Sequence, residues 1–333
     1  MVRAAFLVLW VYLALFVVLS GGDFGVGLWV GVTSLGSSRR RLADAAMAYF
    51  SPVWEMHGLF LIFFLTGLLF AFPTALGLLG GSLIALLIVA LATLVLRAGF
   101  YVLLAHGPQR VRHRSRIGFG VSSCACAIAF GLTGAAPASG DIARASLASA
   151  YYTSAVALTA IPLALAASAH LGAVGIWNHT LHRDQHAAGW YRRAAAGAGV
   201  ASLIAGAAFT AAIALAATGT RDHFASTSGA ALLTGAIMVT GAVLFAILGH
   251  ARTALLLTTG GYATGLIAGA FVQLPYLVYP TLTLSAAASP QPVLEDFLIT
   301  AFIGAPLVIL TVAAWHALSL RPSASETALR PPR

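Results

Sequence analysis

Four ionisable residues stand inside otherwise apolar stretches of the chain: Asp23, Glu55, His57 and Arg97. A charge at the centre of a membrane-spanning helix costs about 2.5 to 3.5 kcal/mol on insertion scales, so such groups are paired with one another or carry function. Asp23 comes late in a first apolar run, Glu55 and His57 open the second, and Arg97 comes late in the third. Successive runs alternate in direction, which brings all four into the half nearest one membrane surface. Two carboxylates, an imidazole and a guanidinium at that depth can do two kinds of chemistry. They can neutralise one another as a structural cluster, or they can pass protons at the inner mouth of a path. The residue types leave both open.

Positioning such groups requires spanning helices, and the composition supports them. Of 333 residues, 60% are hydrophobic and 8% charged, against roughly 25% charged in an average soluble domain. A soluble globule is excluded. Apolar runs long enough for a bilayer core of about 30 Å fall at residues 4–32, 53–73, 76–105, 117–137, 151–178, 190–217, 229–250, 254–273 and 297–319. The fold class is therefore all-α and polytopic, with about nine transmembrane helices in one domain over residues 1–320 and a short tail, 321–333. The second and third spans meet at Pro73 with almost no loop, and the long connection, 274–296, carries Pro275, Pro280, Pro290 and Pro292. The first run reads as a retained helix rather than a cleaved signal, since the apolar pattern continues through Val30 with no small-x-small cleavage site before it. No soluble domain is expected beyond the spans.

All 18 basic residues are arginines. Fourteen fall on one side of a nine-span chain and three, Arg3, Arg144 and Arg221, on the other. Positive charge near helix ends stays cytoplasmic, which puts the N-terminus outside and the C-terminus in the cytoplasm. The arginines form no stripe of the kind that binds nucleic acid.

Glycine clusters around the first buried carboxylate. Gly21, Gly25 and Gly27 flank Asp23, and glycine in a membrane helix lets backbones approach closely, so Asp23 is expected to be held against a neighbouring helix. Gly197, Gly199, Gly206, Gly260, Gly261, Gly265 and Gly269 read as ordinary helix-packing positions. Cys124 and Cys126, two apart in an apolar run, read as small core residues. His170, His250 and His316 lie toward helix ends, and no helix offers two histidines half a bilayer apart, so no matched pair of haem ligands is visible. His179, His182 and His186 with Asp184 have one-face spacing that can hold a metal, but they sit in an arginine-containing turn and read as a solvated connector.

The residues around Asp23 also carry a resemblance. Gly21, Gly22, Asp23, Phe24, Gly25, Val26 and Gly27 resemble the Gly-Phe-Asp-x-Gly-Val-Gly signature that ends the first helix of subunit II of cytochrome bd-type quinol oxidases, with Gly22 the one mismatch. Ser20 stands where that family usually has an acidic residue. Ser51 to His57, including Trp54 and Glu55, is similar to the family's Pro-x-Trp-Asp-Gly-Asn segment, and Leu61, Ile62, Phe72 and Pro73 follow at the family's spacing. Arg97 with Ala98, Gly99 and Phe100 resembles an arginine late in the family's third helix. Tyr279, Pro280, Ala288, Ser289, Leu294, Pro306, Leu307 and Trp315 resemble its last loop and helix. The chain departs from the family at His57, where the family has asparagine, and at Gly58 and Phe60.

The resemblance implies a haem-free subunit II in a heterodimer with a haem-bearing oxidase subunit I, which holds the haems and the quinol site. It implies a bacterial cytoplasmic (inner) membrane location, no cofactor on this chain alone, and contacts with membrane lipids and a small accessory subunit. It places Glu55, Arg97, Asp23 and His57 on a route for proton uptake from the cytoplasm, with Gly21, Gly25, Gly27 and Trp54 as a helix-packing motif. The alternative from another functional class is a proton-coupled secondary transporter using the same carboxylates.

Overall fold

The computed structural model describes residues 1–36, 39–49, 56–140, 142, 148–217 and 227–319. Its long helices are α1 (Val2–Ser34), α4 (Pro73–His106), α5 (Gln109–Ala135), α7 (Ala155–Thr180), α8 (Gln185–Ala216), α9 (Thr227–Leu248), α10 (Ala251–Gln273) and α12 (Gln291–Ser319). Shorter helices are α2 (Arg40–Tyr49), α3 (Met56–Ala71), α6 (Ala148–Tyr152) and α11 (Leu284–Ala287). Among the described residues seven helices are long and apolar enough to cross a membrane: α1, α4, α5, α7, α8, α9 and α10. They match seven of the nine expected runs. The other two runs correspond to α3, an apolar helix of 16 residues, and α12.

Helix boundaries follow local chemistry. Proline lacks an N–H and disfavours helical backbone in the residue before it, so α3 stops at Ala71 and α4 starts at Pro73, with Phe72 between them at φ −141° and ψ 62°. The carbonyls stranded at the end of α3 are taken up from far along the chain. Ser289 donates its hydroxyl to the Phe70 carbonyl at 2.6 Å and its N–H to Ala71 at 2.9 Å. Ser154 caps α7 by accepting from the Ala157 N–H, and Asp184 caps α8 by accepting from the N–H groups of His186 and Ala187, as short polar side chains do at N-caps.

α1 and α7 are the central helices. α1 packs against α5, α7, α3 and α10, while α7 pairs with α8, α9 with α10, and α4 with α5. One core surrounds Trp177, Tyr191, Val30 and Phe119, a second Tyr151, Leu83 and Ala157, and a third Phe6, Phe72 and Leu294. Large apolar side chains such as Ile88, Leu91, Ile204 and Leu256 point outward, as a surface bathed in lipid requires.

Two features lie outside the expected series of helices and short turns. α2 is amphipathic, burying Leu42, Ala43 and Ala46, and is strapped across one end of the bundle. Tyr191 donates to the Leu42 carbonyl at 3.0 Å, Asp44 pairs with Arg116, and Arg41 pairs with Asp184 at 2.6 Å. The 274–296 connection contains a small antiparallel pair, β1 (Tyr276–Val278) and β2 (Leu282–Thr283), and α11. The Tyr279 N–H donates to the Pro137 carbonyl at 3.0 Å, tying this loop to the end of α5.

Of the glycines read as packing positions, Gly199 faces Val243 and His170, and Gly261 faces Val239. Gly197 and Gly269 have open space where a side chain would project, with no neighbour there among the described residues.

Candidate functional site

Helices α1, α3 and α4 bring three of the four expected ionisable residues together. Arg97 on α4 is 2% exposed, and its Nη2 lies 2.8 Å from Oδ1 of Asp23 on α1. The same nitrogen donates to the Asp23 backbone carbonyl at 3.3 Å, and Nε donates to Ser123 Oγ on α5 at 2.9 Å. Ser123 in turn donates to the Phe119 carbonyl at 2.7 Å. The guanidinium carbon stands 4.7 Å from the centroid of Phe119 and 5.4 Å from that of Phe24, within cation–π range. The cation is thus spoken for by a carboxylate, a hydroxyl and two ring faces.

The second oxygen of Asp23 is different. Among the described residues Oδ2 is buried with no hydrogen-bond partner, and His57 Nδ1 lies 4.0 Å from it. That gap exceeds a hydrogen bond of about 2.7 to 3.2 Å yet is narrower than two in series, so a sub-ångström shift of either side chain closes it. His57 is itself 6% exposed and packed against Phe16 and Phe24. One oxygen anchored by a guanidinium, with the other open toward an imidazole, is an arrangement that can accept and release a proton without moving its anchor.

The glycines make this approach possible. A Cβ on Gly25 would collide with the Ser168 carbonyl of α7, and one on Gly172 with the Gly25 backbone. At Gly27 it would collide with Ser123, so that glycine makes room for the hydroxyl that Arg97 engages. A Cβ on Gly21 would stand 3.0 Å from Leu171. The glycines around Asp23 thus face α7 on one side and α5 on the other, while Asp23 itself contacts Arg97 of α4 and faces His57 of α3. Glu55 and Trp54 lie outside the described residues.

Sequence reasoning did not single out Ser123 or Phe119. Ser123 follows Ser122 in an apolar run of α5, where serine usually bonds back to its own helix, so the sequence carries no distinguishing mark. It also read His170 only as a failed haem ligand. His170 is fully buried, with Nδ1 3.0 Å from Tyr262 Oη and Nε2 3.4 Å from Thr258 Oγ1. Thr258 donates its own proton to the Ala254 carbonyl at 2.7 Å, so it accepts from Nε2–H. Nδ1 then accepts from Tyr262, whose oxygen accepts from Ser202 Oγ at 2.6 Å. The chain of donors runs in one direction across α8, α10 and α7, and both ring nitrogens are used.

His179, His182, His186 and Asp184 do not assemble into a metal site, and no group of three metal-binding side chains occurs among the described residues. His179 bonds Arg183 at 2.8 Å. Asp184 receives two bonds from Arg41, at 2.6 and 2.9 Å, and these hold its carboxyl below the usual carboxylate range. Cys124 and Cys126 are free thiols inside α5, the first half-buried and the second in the core.

Comparison with known proteins adds three findings. A family model described as "Cytochrome bd terminal oxidase subunit II" matches residues 1–318. A curated Bacillus subtilis (strain 168) protein named "Putative cytochrome bd menaquinol oxidase subunit II" is 30% identical over 95 residues, 28% of this chain. The chain spans only 27% of that relative's length in the match. The fold resembles a chain in the structure of bd oxidase from Geobacillus thermodenitrificans, with a TM-score of 0.79 and 18% identity, covering 96% of this chain and 98% of that one.

Proposed function

The chain belongs to the cytochrome bd terminal oxidase subunit II family, and from that premise we propose that it is the haem-free partner of a haem-bearing subunit I in a bd-type quinol:dioxygen oxidoreductase, where it contributes to proton uptake from the cytoplasm. It is a multi-pass protein of a bacterial inner membrane. The haems and the quinol site belong to the partner, which supplies electron transfer and oxygen reduction. Nine spans, an external N-terminus and a small accessory subunit are part of the same reading.

The observation that carries it is the open oxygen of Asp23 facing His57, with the other oxygen held by Arg97. A buried carboxylate beside an arginine can stay charged, while desolvation makes proton binding accessible. Glu55, two residues before His57 in the chain, is the proposed donor from the cytoplasmic side, and His57 relays or orients.

The test is oxygen consumption per assembled complex. Glu55→Gln keeps size and hydrogen bonding but removes the titrating proton. Assembly should survive, and turnover should fall by roughly the 10²- to 10⁴-fold that positioned proton transfer contributes. Glu55→Asp should retain much of the activity. Equal rates for Glu55→Gln and wild type across pH would mean that protons enter elsewhere. Purification with native partners should bring a haem-rich membrane subunit, and a chain that purifies only with itself would overturn the assignment.

A further inference from the structure

The lipid-facing surface carries a seam between α1 and α10 that the proton-uptake reading does not use. Two cavities lie along it. One, of about 320 Å³, is lined by Val11, Ala14 and Val18 of α1 and by Gly260, Ala263 and Ile267 of α10. The other, of about 230 Å³, lies between Val2 and Arg3 at the start of α1 and Leu274 and Pro275 just past α10, with Ser285 at its rim. Antiparallel helices rise equally per residue, so facing positions have numbers with a constant sum. Arg3 with Pro275, Val11 with Ile267, Ala14 with Ala263 and Val18 with Gly260 keep that sum to within one. The two cavities therefore lie along one α1–α10 seam, about 12 Å apart from Arg3 to Val11 at 1.5 Å per residue.

Its length and chemistry define the occupant. From Arg3 to Val18 the helix rises about 22 Å at 1.5 Å per residue. One leaflet, headgroups included, is half of about 40 to 45 Å, so the two cavities together reach over the length of one lipid. The deeper cavity is apolar, since its one hydroxyl, that of Thr259, donates to the Leu255 carbonyl of its own helix at 2.9 Å. A transmembrane helix, about 10 to 12 Å across, would need roughly three times the combined volume of the two cavities or more over the same length, whereas small residues such as Ala14, Gly260 and Ala263 leave space for a single hydrocarbon chain. At the mouth the guanidinium of Arg3 is exposed and has no ion-pair partner among the described residues.

We propose that one anionic phospholipid from the leaflet on the N-terminal side occupies both cavities of this seam, with its phosphate on Arg3 and an acyl chain lying along Ala14 and Ala263. The site depends on α1 and α10 spanning the membrane and not on the proton route, so either idea can fail without the other. The purified complex is reconstituted into vesicles of equal parts phosphatidylglycerol and phosphatidylcholine, re-extracted in mild detergent, stripped of loosely bound lipid and examined by native mass spectrometry. The wild-type complex should retain phosphatidylglycerol in preference to phosphatidylcholine. Arg3→Gln, a change at an exposed position, should lower that preference about 5-fold, the effect of one arginine near an anionic headgroup. Ala263→Phe should fill the deeper cavity and lower retention of both lipids, while Arg252→Gln at the other end of the bundle should leave the preference unchanged. The proposal is overturned if Arg3→Gln leaves the preference intact, if Ala263→Phe folds and retains as much lipid as wild type, or if an isoprenoid quinone or a polypeptide occupies the seam instead.

Discussion

Replacing Arg97 with methionine keeps the length of the side chain and removes its charge, which isolates the ion pair from the packing. The guanidinium is 2% exposed and contacts Asp23 at 2.8 Å, so its loss leaves a carboxylate, with 8% side-chain exposure, without its counter-charge. Breaking a buried pair from one side costs about 3 to 5 kcal/mol. That is roughly a 100- to 4,000-fold loss in the folded fraction, at tenfold per 1.4 kcal/mol. Removing the stranded charge as well, with Asp23→Asn in the same chain, should recover part of the loss, because two neutral groups have no charge left to desolvate. The double-mutant cycle should therefore show coupling of about 1 to 3 kcal/mol, within the range of residues that share one network. The assay is thermal denaturation of the purified complex, alongside its yield from membranes. Additivity of the two single changes within about 0.5 kcal/mol would refute the argument, because it would mean that Asp23 and Arg97 are satisfied independently of each other.

Three other outcomes follow from the same geometry. Gly25→Leu, driven into the Ser168 carbonyl, should abolish recovery of assembled protein, while Gly22→Ala, which meets nothing within 4 Å, should leave it at wild-type yield; membrane-fraction immunoblots compare them. His170→Phe strips a partner from Tyr262 and Thr258 and should cost about 1 to 3 kcal/mol, as for one unsatisfied buried polar group, with faster hydrogen exchange in the adjoining turns of α7 and α10; unchanged exchange would show that the donor chain contributes nothing. Asp184, with its carboxyl held below the usual range by Arg41, contributes stability that is present above the unfolded-state value near pH 4 and is lost as pH falls through the lower folded value. Hydrogen exchange over residues 40–49 should therefore rise on acidification in the wild type, and Arg41→Gln should already show raised exchange at neutral pH.

Much of the architecture is written locally. Spanning helices announce themselves because an unsatisfied backbone cannot face lipid, so apolar runs of sufficient length have one solution, and Pro73 marks a helix boundary by the chemistry of a single ring. The amphipathic strap α2 and the small β1–β2 pair are less visible. Both are short, and their stability comes from partners such as Tyr191, Asp184 and Pro137, which lie far away in the chain.

The candidate site divides along the same line. The cost of burying charge is a property of each residue and its neighbours in sequence, so Asp23, Glu55, His57 and Arg97 could be singled out as a group that pairs or carries protons, and the glycines around Asp23 as a place of close approach. Which carboxylate oxygen Arg97 takes, which is left open toward His57, and which serine completes the shell depend on the rotation of α1, α3, α4 and α5 about their axes. The same holds for the donor chain from Ser202 through Tyr262 to His170, which spans 92 residues between histidine and tyrosine. Helix rotation and register are set by how side chains and glycines interlock across the whole bundle, a collective property that no local stretch of sequence encodes, and only the tertiary structure decides it.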